Sequence, residues 1–229
     1  MTDHENNLDH IQRLLESKST AKQAAYKHIV AAFEELAKEA QRMTTELIKK
    51  THVTDDDVTV HFKFTSEQEF EVKLAGDLLI FVLHTNVVTF DETHDVMKDP
   101  YIKENAVNRY FGQIMIYNFM ADSVKFGRIN DPGYLVARLL INHENKFLVE
   151  GQGGLKERFN KISEKAITLN DLNTIVQHAL MIAIDNDLIA PPFPEVRSVT
   201  LHQKMERAQE LGAGQKIGFK LGYQNNLEG

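Results

Sequence analysis

Residues 113–154 constrain the fold most, because they form an unbroken succession of strand-like runs with no room for a long helix. Ile114 to Met120, Val124 to Ile129, Tyr134 to Asn142 and Lys146 to Glu150 are separated by Ala121-Asp122-Ser123, Asn130-Asp131-Pro132-Gly133 and His143-Glu144-Asn145. Pro fixes its own φ and Gly accepts a positive one, so the second break is the strongest turn signal in the chain. The stretch predicts an antiparallel meander.

A second group precedes it. Val58, Val60, Phe62 and Phe64 alternate with Thr59, His61 and Lys63, and Phe70, Val72 and Leu74 alternate with Glu69, Glu71 and Lys73. Period-two alternation of this kind marks half-buried strands. Residues 78–83 are apolar throughout and predict a central strand, with a turn at Thr85 and Asn86 and a last strand over 87–90. Two groups of about four strands, each with a long apolar third strand, suggest a repeated plan of roughly 50 residues. The polar segment 91–109, containing Pro100, reads as a connection with a helical turn or two.

Upstream, residues 19–50 are helical in pattern. Thr20 and Gln23 stand at capping-box spacing, and Tyr26, Ile29, Phe33, Leu36, Ala40, Met43 and Leu47 recur at steps of three and four along one stripe. The stripe has two covers to choose from, the sheet of its own chain or the same helix in a second copy, and the two are compatible if the helix overhangs the domain. Downstream, residues 155–162 suit a short helix, and Thr168 with Asp171 caps a second that carries Leu172, Ile175, Val176, Ala179, Ile182 and Ala183. Pro191, Pro192 and Pro194 predict an extended connector, followed by a short helix over 200–211 and a loose tail with Gly212, Gly214, Gly218 and Gly222.

The expected fold is therefore α+β: a predominantly antiparallel sheet of six to eight strands in two meanders, with a long N-terminal helix and C-terminal helices packed on it. The expected organisation is a flexible start (1–18), a core domain (19–190) and a C-terminal extension (191–229).

Composition narrows the function classes. The formal charge of −7 leaves no overall basic footprint for nucleic acid. Cysteine is absent, which removes disulfides, thiolate metal sites and a thiol nucleophile and fits a reducing compartment. The polar, acidic first ten residues encode no secretory signal, and the longest apolar run is too short to span a bilayer. A cytoplasmic protein without a resident cofactor and without a membrane partner is expected.

Three constellations carry chemistry. Gly151, Gly153 and Gly154 join a strand to a helix, and with Lys156, Arg158 and the helix N-terminus they suit an anionic small molecule. They match neither the Walker pattern nor a dinucleotide fold, and reversing the chain explains them equally well. Arg138 interrupts an apolar strand and needs a partner or an anion if it is inward-facing. His84, His94, Asp95 and His143 are suitable ligand types for a transition metal, yet none has helical ligand spacing, and polar turns attract the same residues. Ser66, Ser123, Ser163 and Ser198 lack a nucleophile-elbow frame.

The leading expectation is a non-enzymatic interaction or ligand-binding module, self-associating as a homo-oligomer through Tyr26, Ile29, Phe33, Leu36, Met43 and Leu47. The alternative is a metal-dependent phosphoester hydrolase that uses the His/Asp cluster.

Overall fold

A computed structural model describes residues 3–52, 58–187, 192–198 and 200–202. Its centre is one six-stranded antiparallel sheet in sequential order: β1 (Val60–Ser66), β2 (Glu69–Leu74), β3 (Asp77–Leu83), β4 (Phe111–Met120), β5 (Tyr134–Asn142) and β6 (Phe147–Gly151). Helices α1 (Asp3–Leu14), α2 (Thr20–Lys50), α3 (Pro100–Glu104), α4 (Ala121–Lys125), α5 (Gly153–Phe159), α6 (Leu169–Asp185) and α7 (Phe193–Val196) surround it. The α+β expectation holds.

The two expected meanders are halves of one sheet. β3 pairs with β4 from Asp77↔Met120 to Leu83↔Ile114, which joins three strands from each group. Each group loses one of its four expected strands, the fourth of the first group and the second of the second, for a physical reason. Residues 87–90 make a single bridge, Val88↔Phe111, because the chain then turns to lay the Phe90 ring on His94. Residues 121–125 are helical rather than extended, and Gly127 at φ 60° turns the chain before Ile129, which is almost fully exposed. Its apolar residues mimic a strand but have no core to face.

The helix expected at Ser19 begins at Asp3 instead. A π turn over Leu15–Ser19 links α1 to α2, Ser19 makes no side-chain cap, and the Thr20 hydroxyl donates back to the Leu15 carbonyl at 3.1 Å. Thr20 and Gln23 are thus interior residues, and the expected capping box has no helix start to serve. Thr168 and Asp171 do form theirs, with the Thr168 side chain accepting from Asp171 N and the Asp171 side chain accepting from Thr168 N. Beyond α6, Pro192 is extended and Pro194 lies in the first turn of α7, where a missing N–H does no harm. Asp55 to Asp57, Pro191 and residues 203–229, with the expected glycine tail and most of the 200–211 helix, lie outside the described residues.

Helices α2 and α6 cover one face of the sheet. Ile29, Phe33, Leu36, Ala40 and Met43 pack with Phe70, Val72, Leu79, Phe81, Ile114, Ile116, Leu139 and Val149, while Tyr26 and Leu47 lie half-buried at the margin. The stripe expected to join two copies therefore belongs to the chain's own core: Ile29 and Leu36 are fully buried, and no second copy reaches them without opening the fold. Gly112 permits this approach, since a Cβ there would lie 2.4 Å from Ile29 Cγ2 and 3.1 Å from the Ala25 carbonyl. A smaller core on the opposite face joins Val96, Met97 and Ile102 to Phe111, Leu140 and Leu148.

Candidate functional site: the open sheet face

The second core covers only one end of the opposite face. Beyond it, strand register sets out two rows before the one at the far end, where Leu78 is buried. One runs Glu69, Val82, Met115, Arg138, Glu150, and the next Lys63, Glu71, Ile80, Tyr117, Leu135. Ile80, Val82, Met115 and Tyr117 are half-buried, Leu135 is exposed, and none of them belongs to either core. Apolar side chains thus occupy β3 and β4 in both rows and reach β5 at Leu135, with charged ones on β1, β2 and β6 and Arg138 on β5.

One edge is built with particular care. Arg138 Nε donates to Glu150 Oε2 at 2.7 Å, and its Nη2 donates to the same oxygen. His94 Nε2 lies 3.2 Å from the other carboxylate oxygen, while its Nδ1 accepts from Val96 N at 3.3 Å, which fixes the ring's orientation. The Phe90 ring stacks on His94 at 4.2 Å, and the Arg138 guanidinium sits over Phe90 at 5.1 Å. The group is three-quarters or less buried, so the Arg138–Glu150 ion pair contributes only about 1 kcal/mol to stability. Its stronger effect is geometric, since it fixes an aromatic and a cationic surface beside the apolar strip.

Two of the sequence-derived site residues, His94 and Arg138, meet here through Glu150. The other candidate ligands go elsewhere. His84 accepts from Asn86 N through Nδ1, and Asp95 is fully solvated and paired with Lys98 at 2.7 Å, whose ammonium holds its carboxyl below the usual range. His143 Nε2 donates to Asn108 Oδ1 at 2.9 Å. Among the described residues no three His, Asp or Glu side chains converge as a metal site would require, so the expected four-residue ligand set does not assemble.

His143 belongs to a clamp at the end of the sheet. The Tyr101 hydroxyl donates to Glu144 at 2.9 Å and accepts from Asn142 Nδ2 at 2.8 Å, and Lys146 pairs with Glu144 and lies over the Tyr101 ring. His28 on α2 donates to the Asn142 carbonyl at 3.1 Å, tying the helix to the turn. Burial pushes the Tyr101 phenol up and the His143 imidazole down; hydrogen bonds from Lys146 and then Tyr101 hold Glu144 low. These groups satisfy one another.

The glycine turn follows Glu150 directly. Gly153 adopts φ +50°, a backbone conformation that favours glycine, and a Cβ on Gly154 would lie 2.7 Å from the His178 ring, so the turn accounts for the first glycine and the approach of α5 to α6 for the second. Lys156 and Arg158 are exposed on α5, a helix of seven residues. Gly151 closes β6 opposite Ala137.

Glu150, Phe90, Met115 and Tyr117 are the site residues that sequence reasoning missed. Cross-strand opposition of Arg138 and Glu150 was the available signal, but it needs the register. No protein-family model, curated protein or solved structure matches this chain. No helix among the described residues is long and apolar enough to cross a membrane.

Proposed function

We propose that this chain is a non-enzymatic interaction module of the cytoplasm whose open sheet face receives an amphipathic helix of a partner protein, and that it self-associates through a separate surface. The observation that carries the first part is the apolar strip of Ile80, Val82, Met115, Tyr117 and Leu135 between charged edges. Three adjacent strands span about 10 Å, the width of one helix with its side chains. The opposite face already holds α2 in this way, so the sheet geometry suits a helix on both sides. The binding reading is favoured over the hydrolase because the candidate histidines are engaged in orienting hydrogen bonds at separate places. The glycine turn carries no weight in this reading, as backbone conformation at Gly153 and packing at Gly154 account for its glycines.

The test compares the proteins retained by wild-type chain, by the double variant Val82→Lys/Tyr117→Lys, and by Lys38→Glu on the outer face of α2. A partner lost only with the double variant, and then bound by the purified wild-type chain in calorimetry, is the expected result. Identical retained sets for all three would refute the assignment.

A further inference from the structure

We draw no further inference here: the strongest candidate, the exposed apolar patch of Val124, Phe126 and Ile129 at the end of α4 and in the loop that leads to β5, carries nothing because nothing in the structure shows what covers it.

Discussion

The two faces of the sheet use the same strands to opposite ends. On the closed face Phe70, Phe81, Ile114 and Leu139 are fully buried beneath α2 and α6, whereas on the open face Ile80, Val82, Met115 and Tyr117 alternate with them and stay half-exposed. The strands β3 and β4 are apolar on both sides, as central strands are when both faces are to be covered. Among the described residues only one cover comes from the chain's own helices over this part of the sheet. The difference separates residues that hold the fold from residues available to a partner.

That comparison predicts opposite responses to substitution. Leu36→Ala removes a fully buried side chain from the closed face and is expected to destabilise by about 3 kcal/mol, measured by urea unfolding. Tyr117→Lys on the open face is expected to stay within about 1 kcal/mol of wild type in the same assay. Equal losses would mean that the open face is a core after all.

Gly112→Ala sharpens the comparison from the backbone side. The added methyl meets Ile29 and the Ala25 carbonyl, so α2 must lift or β4 must shift, and a loss of about 2 kcal/mol is expected. Accelerated hydrogen exchange in α2, with less change in β6, would show that the helix has lifted.

The smallest effect concerns the clamp at the sheet end. Burial chiefly lowers His143, against an opposing influence from Glu144 and with smaller contributions from His28 and Lys146 in the same direction as burial. The neutral ring is therefore favoured in the folded state, and the unfolded chain takes up the proton more readily. Stability from this group is intact above the ordinary histidine range near ~6.5 and is lost as pH falls through it. Glu144 titrates lower and does not share that window. His143→Gln is expected to flatten the fall in unfolding midpoint between pH 8 and pH 5, read against wild type.

Legibility in the sequence follows the same division. The closed face was readable because its apolar residues repeat along one element at a time: every third or fourth residue on α2, every second on β1 and β2. The open face depends on which residues lie opposite across strands. Arg138, Glu150 and His94 come from three separate segments and meet only once register and the turn at Phe90 are fixed. The same blindness placed the interaction surface on Ile29, Phe33 and Leu36, since periodicity shows that a stripe must be covered without showing by what. It also hid α1, because polar residues around Leu8 and Ile11 read as a loose start, and continuity into α2 supplies the nucleus that so short a helix lacks alone.

Photo-cross-linking from position 115 tests the central claim most directly, with a benzophenone side chain in place of Met115 and, in a matched variant, in place of Lys38. The open-face account predicts a discrete protein adduct from position 115 that Tyr117→Lys abolishes, and none from position 38. No adduct from position 115, or the same adducts from both positions, would contradict it.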